Sequence, residues 1–138
     1  MNKFIPKSYK FKKVRKNVRS ISLKETRSNV LKHGDYGLKI LNNGVISHIV
    51  LEAARRAITR KLKRTGNLKI NGFSHIPVTA KPLGVRMGKG VGSISKWVLP
   101  IKKGKILFEL CGVSSQLAKT AFRSAAYKLP LKSKFIFI

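Results

Sequence analysis

Carboxylates are what this chain has least of. Four acids, Glu25, Asp35, Glu52 and Glu109, stand against 31 lysines and arginines in 138 residues. They are scattered without paired spacing, which removes the usual basis for general acid–base catalysis. Cysteine is scarcer still. The lone Cys111 excludes an intrachain disulfide and any zinc site built from several thiolates. It reads as a small core hydrophobe inside the run ILFELCGV. No apolar run approaches the ~20 residues of a membrane-spanning helix. The opening MNKFIPKSYKFKK develops no apolar stretch of the kind that directs secretion, so neither a membrane partner nor a secretory signal is expected.

What is present in excess is positive charge. The formal net charge is +27, while a hydrophobic content of 43% suffices for one modest core. Confining so many like charges in a small globule costs self-repulsion unless a polyanion lies against it. Nucleic acid is that polyanion, because each neutralised phosphate releases condensed counterion. The first 27 residues hold ten cations and one acid, without clear periodicity. They read as an extended basic arm, residues 1–27, that orders on its partner, leaving residues 28–138 as a single domain.

Turn residues at Gly34, Gly37 and Asn43-Gly44 bracket an expected strand over 36–41. Ser47 offers a cap for a helix over 48–64, stopped by Gly66. Leu51, Ala54, Ile58 and Leu62 fall on one face of that helix. Arg56, Arg60 and Lys63 share the opposite side with Glu52, flanked by Arg55 and Arg64. A strand is expected over 68–73, followed by an irregular connection held by Pro77 and Pro82. Segments 96–101 and 105–110 read as a hairpin across Lys102-Lys103-Gly104, with Trp97 and Phe108 as cross-strand or core aromatics. Ser114 or Ser115 opens a second helix that buries Leu117, Ala121, Phe122, Ala125 and Leu129 and ends at Pro130. The tail SKFIFI supplies a last strand. Helices and strands interleave without βαβ spacing, so the fold class is α+β.

The stretch RMGKGVGSISKW, residues 86–97, is rich in glycine and cations and bare of acids. It is not a phosphate-binding loop of an enzyme. The spacing of a P-loop is missing, and a strand follows instead of a helix N-terminus. It reads instead as a slender, mobile finger, with Lys81, Arg86 and Lys89 charging its base and tip. Arg86 is suited to bridge phosphates or stack on a base, and Met87 adds soft packing. His33, His48 and His75 lack the spacing of a helical metal pair and read as surface or RNA-facing residues. No metal or cofactor is expected, and no catalytic residue.

Taken in order, YKFKK, YGLKIL, EAARRAITRKLKR, KPLGVRMGKG, VGSISKW, GKILFEL and AAYKLPLKSKF span residues 9–136. This series resembles the universal large-subunit ribosomal protein L-sixteen family in its bacterial and organellar form. The resemblance implies a hammerhead-like mixed sheet with two main helices. It also implies a non-enzymatic place in the large subunit near the central protuberance and the peptidyl-transferase centre. Implied partners are large-subunit rRNA, tRNA in the aminoacyl site and neighbouring ribosomal proteins, with no homo-oligomer. On this reading Lys10, Lys12, Lys13, Arg15, Arg19, Arg55, Arg56, Arg60, Lys63 and Arg64 bind rRNA. The loop Lys81, Arg86, Met87, Gly88, Lys89 and Gly90 lies toward the tRNA cleft, and Arg86 matches an arginine that some bacteria hydroxylate.

Three departures from the family pattern stand out. Val91 occupies the place of a second loop lysine, Lys96 that of a common acidic or neutral residue, and the arm lacks the usual glycines. A bias to Lys, Ile, Asn and Ser, with family-like sequence almost from the first residue, points to an organelle-encoded mitochondrial ribosomal protein, ahead of a plastid or AT-rich bacterial one. The rival reading is a free-standing nucleoid-type compactor of nucleic acid.

Overall fold

Two helices and seven strands are present among the described residues of the computed structural model, which are 4–10, 13–14 and 24–138. The strands are β1 (Tyr36–Ile40), β2 (Gly44–Ser47), β3 (Asn67–Ile70), β4 (Ile76–Ala80), β5 (Ser93–Ile101), β6 (Ile106–Cys111) and β7 (Ser133–Phe137). Helix α1 runs His48–Leu62 and α2 runs Ser115–Ala126. The class is α+β, as expected. The strands form two sheets, ordered β3-β6-β1-β7 and β2-β5-β4, with every pairing antiparallel.

The expected hairpin between 96–101 and 105–110 does not form. β5 and β6 lie in different sheets, so Trp97 and Phe108 are not cross-strand neighbours. The pairings explain why. β1 pairs with β6 (Tyr36↔Leu110) and β2 with β5 (Gly44↔Ile101), both antiparallel. Together they make one long ribbon that kinks in the middle and passes from sheet to sheet. Lys102-Lys103-Gly104 is therefore a corner, not a reversal. Asn42-Asn43 is its mate on the other strand, and the two are tied: Gly104 N–H donates to Ile40 O at 2.7 Å, and Lys103 N–H to Asn43 Oδ1 at 2.5 Å. Gly104 has φ +92°, which glycine adopts freely.

Alternation along β1 and β7 sends Leu38 and Phe135, directly paired, to one face of the larger sheet. There α2 covers them through Phe122, whose ring centroid is 6.0 Å from that of Phe135. α1 packs on α2 and on the smaller sheet, and the buried face Leu51, Ala54, Ile58 and Leu62 is the one expected. One core unites both sheets and both helices. β6 lies between β3 and β1 and is buried on both faces, since the segment 28–34 crosses its other side.

Several local expectations shift by a turn or less. Ser47 caps α1, its Oγ accepting from Val50 N–H at 3.4 Å. The helix ends at Leu62 because Lys63 already has a left-handed backbone. α2 stops at Ala126, short of Pro130, although Leu129 is buried just beyond it. Ser114 is its N-cap by position, with no side-chain bond. β3 is shorter than the expected 68–73 segment, and Pro77 is not in an irregular connection but in β4. That is an edge strand, where a missing N–H costs no ladder bond. Cys111 is half-buried, outside the core cluster. His48 is buried at the start of α1, its Nδ1 3.2 Å from Trp97 O, and so is no surface residue.

The basic arm is partly packed on the domain. Phe4 is buried in the core, and Tyr9 meets Trp97 edge-on with ring centroids 5.2 Å apart. Burying an aromatic contributes on the order of 2 kcal/mol, enough to fasten a segment that charge alone would repel.

Candidate nucleic-acid interface

Charge on α1 is divided by its one acid. Glu52 accepts from Arg55 Nε and Nη2, both at 2.8 Å, and from Arg56 Nε at 2.9 Å. These i,i+3 and i,i+4 pairs have the acid on the N-terminal side, the favourable orientation. The Arg55 hydrogen bond is the largest influence on the Glu52 carboxyl. It outweighs burial and, with Arg56, draws the pKa down to about 2. Arg55 is half-buried, and Arg56 is exposed but engaged. Two of the expected phosphate-binding residues therefore already have a carboxylate.

The rest of the helix carries the uncompensated charge. Arg60, Lys63 and Arg64 are exposed, and both salt bridges found among the described residues go to Glu52. Lys63 and Arg64 have φ of 48° and 72°, a left-handed conformation that L side chains adopt at a cost. Thr65 N–H donates to Leu62 O at 2.9 Å and closes this turn. Cations here also face the negative end of the α1 dipole, so the helix itself favours their placement.

Glu52→Gln tests the division directly. The variant should lose roughly 0.5–1 kcal/mol of stability at neutral pH. Because the folded-state pKa is depressed, that contribution is complete above the unfolded value near ~4.3 and fades as pH falls toward about 2. Urea melts of both proteins should differ at pH 6 and converge at pH 2. At the same time Arg55 and Arg56 are released, so RNA affinity should rise. Weaker RNA binding would show the pair to be organising the surface, not occupying it.

The acid-free loop 81–92 connects β4 to β5 and is exposed over residues 82–91. Lys81 is half-buried, and its Nζ donates to the Gly88 carbonyl across the loop. Arg86, Met87, Gly88, Lys89 and Gly90 all face outward. Gly88, Lys89 and Gly90 have φ of 103°, 51° and 78° in succession. Nothing lies within 4 Å of a Cβ built on Gly88 or Gly90. These glycines therefore serve backbone conformation more than slenderness. At the loop base the reverse holds, because a Cβ on Gly92 would strike the Ala80 backbone.

Lys13 Nζ reaches Val91 O at 3.0 Å, joining the arm to this loop. Lys10 is exposed, whereas Lys12, Arg15 and Arg19 lie outside the described residues. The structure thus brings together Lys13, Lys81 and the loop, and groups Arg60, Lys63 and Arg64 at the end of α1. Two features escaped the sequence reading. Leu83 and Val85 are exposed beside Met87 at 104%, 56% and 93%, offering apolar as well as charged contact. The other is Glu109, whose position inside an apolar run was the available signal of a buried, partnered acid. It accepts from Lys32 N–H at 3.2 Å, His33 N–H at 2.7 Å and Asn71 Nδ2 at 2.5 Å.

Among the described residues no three His, Cys, Asp or Glu side chains group as a metal site, and no helix is long and apolar enough to cross a membrane. The chain matches the family described as Ribosomal protein L16p/L10e across residues 6–136. The chain belongs to that family. Its relative in Alkalilimnicola ehrlichii, named large ribosomal subunit protein uL16, is 46% identical over 131 residues, covering 95% of this chain and 94% of the relative. This is a family of ribosomal proteins and not of enzymes. The matched span includes α1 and the 81–92 loop.

Proposed function

We propose that the protein is a structural constituent of the large ribosomal subunit that clamps rRNA and steadies tRNA in the aminoacyl site. The arm, through Lys10, Lys12, Lys13, Arg15 and Arg19, and the end of α1, through Arg60, Lys63 and Arg64, hold phosphates and set position without reading sequence. Arg55 and Arg56 join them to the extent that RNA phosphate displaces Glu52. The 81–92 loop, led by Arg86, lies toward the peptidyl-transferase centre and the tRNA acceptor arm.

One observation carries the reading: a family match over nearly the whole chain coincides with a surface almost empty of negative charge. Of the four acids, Glu109 is buried, Glu52 is held by two arginines and Glu25 is half-buried, which leaves Asp35 as the exposed one. Only a phosphate-rich surrounding balances what remains. The bias to Lys, Ile, Asn and Ser supports a mitochondrial ribosome as the place of action.

Sucrose-gradient sedimentation of tagged protein from a mitochondrial lysate tests both points. Recovery with the large subunit is the expected result. Recovery with DNA would replace this function by nucleoid compaction. Arg86→Ala should enter subunits normally yet slow aminoacyl-tRNA accommodation several-fold in stopped-flow assays. Unaltered accommodation with full occupancy would remove the loop from the mechanism.

A further inference from the structure

Helix α2 carries a surface that the arm, α1 and the loop do not use. Ala118, Ala121, Phe122 and Ala125 turn inward. Lys119, Arg123 and Tyr127, spaced four residues apart, therefore line one outward edge, neighbours about 6 Å apart at Cβ. All three are exposed, Tyr127 at 75%. Arg123 Nε donates to the Tyr127 hydroxyl at 3.3 Å, which sets guanidinium and phenol side by side.

Hollows open on both flanks of this edge. One, of about 220 Å³, lies between α2 and β7, with Lys119 and Arg123 on its rim and Phe122 and Phe135 in its lining. The other, of about 420 Å³, lies among Gln116, Lys119, Thr120 and Arg123. Both cations border both hollows. The helix contains no acid, and neither cation takes part in a salt bridge among the described residues.

We propose that this edge of α2 is a second RNA contact, in which Lys119 and Arg123 hold successive backbone phosphates and Tyr127 stacks on an unpaired base. Paired cations without a carboxylate call for a polyanion. An exposed aromatic ring among cations is a usual platform for a splayed base. An acidic peptide would match the charge but would leave the ring without a stacking partner. The proposal rests on the rRNA-binding function above and adds a place and a binding mode to it.

The test is titration of the full-length protein with deproteinised large-subunit rRNA over a series of salt concentrations. Lys119→Ala/Arg123→Ala should flatten the slope of log K against log salt by between about 1.4 and 1.8, two phosphates' worth. Tyr127→Ala should weaken binding about tenfold with the slope unchanged, as loss of one stacked base requires, while Tyr127→Phe binds like the parent. Circular dichroism of each variant confirms the fold. If the parent fails to bind rRNA, the general function falls with the proposal. Parent binding with unaltered slope and affinity in the double variant overturns the α2 contact alone. Normal binding to naked rRNA by the double variant, with depletion from whole subunits, also overturns it by making the occupant a neighbouring protein.

Discussion

Glu109→Ala should destabilise the fold by about 3 kcal/mol, as much as truncating a large core side chain. The carboxylate sits on the opposite face of β6 from Phe108 and Leu110, 1% exposed. It takes hydrogen bonds from two backbone N–H groups, of Lys32 and His33, and from Asn71. Alanine removes the shared acceptor of three part-buried hydrogen bonds and loosens the segment 28–34, which then keeps its bond from Ile106 N–H to Ser28 O. Burial pushes the Glu109 carboxyl up, but the bonds from His33, Asn71 and Lys32, with the charge of His33, more than reverse this and leave it lowered. A lowered folded-state value means stability that is complete above the unfolded value near ~4.3 and lost as pH drops through the folded one. Glu109→Gln keeps the shape but brings an N–H₂ toward donors, so it should recover only part of the loss. Equilibrium urea unfolding at pH 7 and pH 3 measures both. A variant with parental stability at pH 7 would show that the sheet face is held by packing alone.

Arg60→Ala combined with Lys63→Gly and Arg64→Gly should move RNA affinity and stability in different directions. If each of the three cations holds a phosphate, as proposed, their removal should flatten the salt slope by about 2 to 2.7 and lower affinity by one to two orders of magnitude near physiological salt. The fold itself should lose nothing. Glycine relieves the left-handed backbone at 63 and 64, worth up to about 1 kcal/mol after its greater freedom in the unfolded chain is counted. Thermal melting and rRNA titration of the same preparation separate the effects. Strain held at charged positions that glycine would relax is understandable only where the side chains are needed. A variant that melts early would instead give Lys63 and Arg64 a structural role.

Elements whose signal is local were legible in the sequence. The α1 stripe Leu51, Ala54, Ile58 and Leu62, the Ser47 cap, the strands at 36–40 and 133–137 and the exposed glycine loop all follow from periodicity and capping. Pairing partners were not. Lys102-Lys103-Gly104 has the composition of a hairpin turn, and only its distant mate Asn42-Asn43 makes it a corner. Pro77 read as a breaker because composition does not reveal that β4 is an edge. In the interface, charge excess identified the partner class. It did not show that Glu52 pre-empts Arg55 and Arg56, because an i,i+4 acid on a basic face looks the same whether it is bonded or solvated.

The bent ribbon has a bearing on biogenesis. Its two long arms, 36–47 and 98–111, are separated by some fifty residues of intervening chain, and each sheet draws on both of them. The smaller sheet therefore waits for residue 101, and the larger, which needs β7, for residue 137. Until then a nascent polycation with an open apolar core is on offer to any passing polyanion or chaperone. Closure this late in synthesis is a physical reason for timely escort of the nascent chain.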